Sequence, residues 1–195
     1  MPTPTKYTYN QDVSNLDLLS EEIAASSIAQ SVNRIDRVGG SPDTVDVWFP
    51  DVLSGGDQTT LNTVLTDHDL SEAKAAKRKA INDYRDYKLY VLKYNWPADS
   101  NDYDMDAVSQ FKIAATLGFI NAGNSLPGDF KWRDADNVDR AFTDQEFKDF
   151  GKDAWNRAEN MHDVAKQHKD AVDALTTVAA VESYDYTTET PTWPA

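Results

Sequence analysis

Asp102, Asp104 and Asp106, in the run ADSNDYDMD, stand at the spacing of the first three ligands of a calcium loop, where alternate carboxylates converge on a hard cation. The pattern then stops. Ala107 occupies the place of the required glycine and Ile113 that of the bidentate glutamate. The other reading has Asp104 or Asp106 capping a helix that begins near Met105, with the remaining carboxylates solvated. A second acidic group, Asp134, Asp136 and Asp139, offers the paired carboxylates of a glycoside hydrolase. Its setting, KWRDADNVDRA, reads as a hairpin turn, where Asp and Asn are favoured for bonding to the backbone and for tolerating left-handed φ.

The remaining candidates for chemistry are fewer. His162 and His168 lie six apart on one expected helix, hence on different faces, whereas a zinc pair needs a spacing of three or four. His68 falls at an expected helix end, where a capping role suffices. The chain has no cysteine, which excludes disulfides, thiol catalysis and thiolate metal sites and leaves the redox compartment open. No nucleophile elbow, P-loop or dinucleotide fingerprint is present, and the glycine pairs at 39–40 and 55–56 read as turn punctuation. No catalytic residue and no cofactor is expected. The enzymatic alternative is a metal-dependent glycan hydrolase built on the Asp clusters, which would need Asp102 or Asp136.

Composition narrows the classes of partner. The 33 acidic residues, 26 of them Asp, outweigh 19 basic ones and leave a net charge of -14, a surface that repels nucleic acid phosphates. Such a charge favours solubility, including in saline surroundings. Lys74, Lys77, Arg78 and Lys79 form one basic cluster, which could contact nucleic acid but reads better as a solvated helix face or a patch for the acidic surface of another subunit. A mean hydropathy of -0.63 accompanies 40% hydrophobic residues, enough for a folded core in 195 residues. MPTPTKYTYNQDVSN carries no apolar core of a secretory signal, and no window approaches a membrane span, so synthesis in a cytoplasm without membrane insertion is expected.

The elements that would position these groups follow from periodicity. KYTYN at residues 6–10 alternates as a short edge strand, and Leu16, Leu19, Ile23, Ile28, Val32, Ile35 and Val38 fall at helical spacings up to Gly39-Gly40. Val45, Val47 and Phe49 make a period-two strand closed by Pro50, with Trp48 on its other face. Asp57 is a plausible N-cap for a helix carrying Leu61, Val64 and Leu65, and a short linker near Asp67–Ser71 precedes a helix from Ser71 to about Tyr94, ended by Trp96-Pro97. Another helix carries Val108, Phe111, Ala115 and Leu117 and stops around Asn121–Gly123. Thr143 and Glu146 then form a capping box opening a proline-free run.

The expected fold class is therefore α+β, mainly helical. A small strand–helix–strand–helix unit spans 1–69, and a helical domain spans 70–182 with one β-hairpin near 130–142 and a long C-terminal helix over about 144–180. An extended tail fills 183–195. On the long helix Phe147, Phe150, Ala154, Ala158, Met161, Ala165, His168, Val172, Leu175 and Ala179 follow three-four spacing, a seam of coiled-coil type. At ~1.5 Å per residue it would reach about 50 Å, beyond the roughly 42 Å breadth of a compact chain of this length. Two partners fit the seam: the same seam in another subunit, or Ser71–Tyr94 of the same chain running antiparallel. On the first reading Phe147, Phe150, Ala154, Met161, Val172 and Leu175 form an interface, and Trp193 in the Pro-containing tail plugs a pocket on a neighbour.

A resemblance is carried by AKAAKRKAINDYRDYK, SQFKIAATLGFIN, the W-x-x-x-DN-V pattern at Trp132–Val138, FTDQEFKDFGKDAW and KDAVDAL. In that order, over residues 72–177, they resemble an uncharacterised domain family of tailed-phage and prophage genomes, found near tail genes. Residues 16–68 look like a small phage virion-protein module, through Glu22-Ile23, Phe49, Leu53, Leu61 and His68. The acidity departs from many relatives and looks like that of a host from saline water. The resemblance implies a non-enzymatic structural component of a tailed-phage virion, tail- or tail-fibre-associated and made in the host cytoplasm. Its partners would be other phage structural proteins and further copies of itself, in a homo-oligomer such as a trimer, without nucleic acid or membrane. A tail-fibre assembly chaperone and a capsid decoration protein are the alternatives.

Overall fold

The structure, a computed structural model, describes residues 4–10, 13, 15–38 and 44–194. The chain is α+β and mainly helical, and it divides into two compact units. Unit 1 comprises Met1–Lys77 and Leu175–Ser183, and unit 2 comprises Arg78–Ala174 and Tyr184–Ala195.

Unit 1 is built on strands β1 (Thr5–Tyr9), β2 (Arg34–Val38) and β3 (Thr44–Phe49), antiparallel in the order β1-β3-β2. The alternation of Val45, Val47 and Phe49 is borne out, since all three are fully buried, and β1 takes its expected place at an edge. The opposite face of β3 is polar. Trp48 there lies under Lys6 and Arg34, with cation–ring distances of 5.7 and 4.8 Å, and its indole donates to Asp36 Oδ2 at 3.1 Å. Helix α1 (Leu16–Ala25) buries Leu19 and Ile23 in the same core, joined by Leu53, Leu61 and Leu65.

The expected helix over Leu16–Val38 is thus too long. It stops at Ser26, whose hydroxyl and N–H both donate to the Ile23 carbonyl, and Arg34–Val38 becomes β2. Ile35 and Val38 continue the helical spacing of the residues before them, but their β-branched side chains suit a strand and pairing with β3 decides it. The expected stop at Gly39-Gly40 lies outside the described residues.

Helix α2 (Gly55–Tyr90) runs for 36 residues without the expected linker near Asp67–Ser71. Nothing in DHDLS breaks a helix, and the fully buried His68 ties the turn down: Nδ1 lies 2.7 Å from Glu22 Oε2, with Nε2 3.3 Å from Glu72 Oε1. His68 therefore sits inside a helix, not at its end. The N-cap is Ser54 in place of Asp57: Ser54 Oγ accepts from the Asp57 N–H at 3.1 Å and donates to its carboxylate at 2.9 Å, so Gly55 and Gly56 belong to the first turn. Ser54, Gly55 and Gly56 continue as a capping box, not as a free turn.

In unit 2, α2 is followed by strands β4 (Tyr94–Trp96) and β5 (Asn101–Tyr103), helix α3 (Ala107–Asn121), strands β6 (Lys131–Arg133) and β7 (Asp139–Ala141), and helix α4 (Asp144–Ala174). The expected helix end at Trp96-Pro97 moves back to Tyr90, because Tyr94 and Trp96 pair with Tyr103 and Asn101 and are buried. The hairpin near 130–142 is present as β6–β7. The capping box holds: Glu146 Oε2 accepts from Thr143 N–H and hydroxyl at 2.8 Å each, while the Glu146 N–H donates to Thr143 Oγ1 at 3.3 Å. Helix α4 ends at Ala174 rather than near 180, after which helix α5 (Val178–Ser183) buries Val181 in unit 1.

The α4 seam is used within the chain. Arg78 pairs with Asp173 at 2.5 Å, Lys169 donates to Asn82 at 3.2 Å and Arg157 donates to the Lys88 carbonyl at 2.9 Å, so α4 runs antiparallel to this part of α2. Against α3 the fit is close: a Cβ on Gly151 of α4 would stand 2.5 Å from Leu117 Cδ1. Gly151→Ala is expected to lower stability by ~1–3 kcal/mol through overpacking, measured by chemical denaturation; an unchanged midpoint would refute this contact.

Candidate interaction surface

The acids of the calcium-like run serve the fold. Asp102 lies in β5 and accepts from the Asn95 amide at 2.9 Å, Asp104 is exposed, and Asp106 is the N-cap of α3, accepting from the Ser109 N–H at 2.7 Å. That backbone hydrogen bond holds the Asp106 carboxyl below the ordinary carboxylate range. Among the described residues no three of His, Asp and Glu come together as a metal-holding group.

Asp134 is equally committed. One oxygen accepts from the N–H groups of Asp136 and Val138 at 2.9 and 2.8 Å, the other from Arg140 Nε at 2.8 Å, and Asn137 takes a left-handed φ of 63°. Asp136 meets Lys93 at 3.2 Å and Asp139 meets Arg133 at 3.0 Å. One network here has no sequence signal: the buried Tyr103 hydroxyl donates to Asp99 at 2.5 Å. Burial, then the Asp99 carboxylate, push the Tyr103 phenol well above its ordinary value, so it is a poor nucleophile or base.

The seam residues expected to meet a neighbour are placed otherwise. Phe147, Phe150, Met161 and Val172 are fully buried inside unit 2, Ala154 packs on the same core, and Leu175 is half-buried in unit 1. Of the two partners the sequence left open, the antiparallel α2 segment is the one seen. Trp193 also packs on its own unit, stacking on His168 at 5.4 Å and meeting Tyr84 edge-on at 5.3 Å, while its indole donates to the Tyr186 carbonyl at 2.7 Å. A partner cannot use these side chains while they fill the chain's own core. His168 is buried beneath, paired with the Tyr184 hydroxyl at 2.7 Å, and burial pushes its pKa down.

Unit 2 carries several exposed apolar side chains, among them Val91 and Val138, and three of them stand on α3. The sequence of α3, AVSQFKIAATLGFIN, has one charged residue and is apolar all round, the pattern of a helix covered on every side. Ile113 and Ile120 are buried, with Leu117 packed beside them. Val108 and Phe111 point outward instead, Phe111 at 74% exposure, so two of the residues that marked this helix in the sequence lie on its solvent side. Beside them a groove of ≈ 340 Å³ runs between α3, α4 and the end of α2, edged by Ala114, Tyr90, His162 and Trp155, the last 65% exposed. Two of its polar groups are committed: Gln110 donates to the Met105 carbonyl at 2.7 Å and Arg157 holds the Lys88 carbonyl while lying over the Tyr94 ring.

The Asp134 turn yields a test of the β6–β7 corner. The Val138 N–H holds its carboxyl below 3.8, opposed by desolvation and reinforced by Arg140 and the Asp136 N–H. A depressed folded-state pKa gives stability that is present above about pH 4 and is lost as pH falls through the lower folded value. Asp134→Asn should flatten the acid limb of the stability curve below about pH 4, measured by denaturation at stepped pH; an unaltered limb would exclude this role.

Residues 72–188 match the model of a family described as a domain of unknown function, DUF4376. No curated protein and no solved structure matches the chain. The matched span holds the second half of α2, both unit 2 hairpins, α3, α4 and α5, and thus the surface just described. It covers well over half of the chain, which belongs to the DUF4376 family.

Proposed function

We propose that this chain is a non-enzymatic structural component of a tailed-phage particle, associated with the tail or its fibres, that works through contacts with neighbouring subunits. The observation that carries the contact reading is the exposed apolar surface of unit 2. Val108, Phe111 and Phe119 of α3 and Trp155 of α4 stand in solvent in a chain otherwise rich in surface charge. Large apolar side chains left exposed along one helix are a feature of protein interaction sites. The acidic clusters support the non-enzymatic part, because Asp102, Asp106 and Asp134 are each engaged in local backbone or side-chain bonds.

The phage assignment is supported by the motif order over 72–177 and by its likeness to a domain found near tail genes. Mass spectrometry of purified particles from a lysogen or infected culture tests it: the chain is expected at stoichiometric copy number beside the tail proteins. Presence in infected cells with depletion from particles would transfer the assignment to an assembly chaperone. Hundreds of copies tracking the capsid would transfer it to a decoration protein, and absence from both fractions would end the phage reading.

A further inference from the structure

Two glycines inside the helices of unit 2 differ in what explains them. Gly151 of α4 is required by Leu117, which would collide with a Cβ. For Gly118 of α3, no atom of the described residues beyond its chain neighbours and its own helix backbone comes within 4 Å of the place its Cβ would take. A glycine inside a helix costs stability relative to alanine, and no contact within the chain recovers that cost here. Its neighbours on the same side, Ala114, Ala115 and Ala122, are also small and exposed. Such a strip lets a second backbone approach closely, with Val108, Phe111 and Phe119 standing beside it as large exposed side chains.

Charge selects what approaches. Residues 107–128 contain no Asp or Glu, the longest such stretch in a chain of net charge -14, and hold one cation, Lys112. Two copies repel each other over an acidic surface but meet no like acids at α3. A basic partner would be drawn to the acidic remainder of the surface rather than to this face. The pattern is also self-complementary. Val108, Phe111, Ala115, Phe119 and Ala122 are symmetric about Ala115 at intervals of four and seven residues. An isologous two-fold pairs residue i with j and j with i, so antiparallel helices centred there set Phe111 of one copy against Phe119 of the other and Val108 against Ala122. Lys112 then falls opposite Gly118, where its aliphatic stem has room.

We propose that two copies of this chain pair through α3, the helices antiparallel about a two-fold at Ala115 with Gly118 at the close approach. The pairing gives the contact surface proposed above its first occupant. It is read on the purified chain, so it fails or stands apart from any result on phage particles.

The chain has no cysteine, which makes a direct geometric test available. Ala115→Cys places two thiols beside the two-fold and is expected to give a covalent dimer with oxidised glutathione, whereas Val52→Cys, equally open but in unit 1, is expected to stay monomeric. Sedimentation velocity of the unmodified full chain should give twice the 21.8 kDa chain mass, with association strengthening as salt screens the net charge. Phe111→Glu and Gly118→Leu should each weaken association by about a hundredfold with the helical circular dichroism and melting of the monomer retained, since neither site touches the core. A monomer at about 100 µM, a dimer indifferent to both substitutions, or equal cross-linking of the two cysteine variants would overturn the pairing.

Discussion

Hairpins with three residues per strand do not persist alone in water, and both hairpins of unit 2 are held by the same two rings. Phe150 meets Tyr103 at 4.8 Å and Trp96 at 5.3 Å, while Phe147 meets Trp132 at 5.3 Å and Phe142 at 5.5 Å. Each such pair adds about 0.5–1.5 kcal/mol beyond its buried area. The start of α4 thus gathers both hairpins, with Phe150 reaching Phe142 at 5.6 Å and Trp132 at 6.5 Å as well. The Thr143–Glu146 box fixes the residue at which that helix begins, and the Asp134 turn returns the chain from β6 to reach it. Even the indole N–H of Trp96 is satisfied by α4, donating to Asp153 at 3.0 Å.

That arrangement decides what is left for function. A seam carrying Phe147, Phe150, Met161, Ala165 and Val172 would be a strong oligomer interface if exposed, but the chain spends it on its own core. With Trp193 folded back onto His168 and Tyr84, the tail is also spent. Part of the exposed apolar surface lies on α3, whose inner face, Ile113 and Ile120, already satisfies the core. An outer face of Val108, Phe111 and Phe119 adds nothing to the stability of the unit and lowers its solubility.

Local chemistry was legible in the sequence, and long-range chemistry was not. The capping box, the Asp134–Asn137 turn, the Val45–Val47–Phe49 alternation and the Asp106 cap each rest on bonds spanning a few residues, and they stand where they were read. The expectation of helix over β2 fails because Ile35 and Val38 continue the helical spacing of the residues before them, and only pairing with β3 makes the segment a strand. β4–β5 escaped notice because its strands are short and its reason for existing, Phe150, lies some fifty residues on. The linker expected near Asp67–Ser71 is helix instead, because His68, expected at a helix end, is buried between Glu22 and Glu72, a contact that spans 46 residues on one side. The orientation of α3 was the costliest miss: a helix apolar all round has no sequence signal for which face goes inward.

The charge pattern makes the same point from the other direction. A chain with 33 acids and 19 bases reads as uniformly repulsive when only the sum is known. Along the chain the acids are not uniform, since they stop at Asp106 and resume at Asp129, so the helix with the most exposed apolar side chains is also the one without negative charge. Desolvating a carboxylate at a contact costs far more than desolvating a methyl group, so a surface meant to be covered must exclude acids, whereas one meant to stay in water has no such constraint. The acid-free α3 therefore meets a condition that the proposed pairing imposes, whereas the acidic remainder of the surface would repel a second copy.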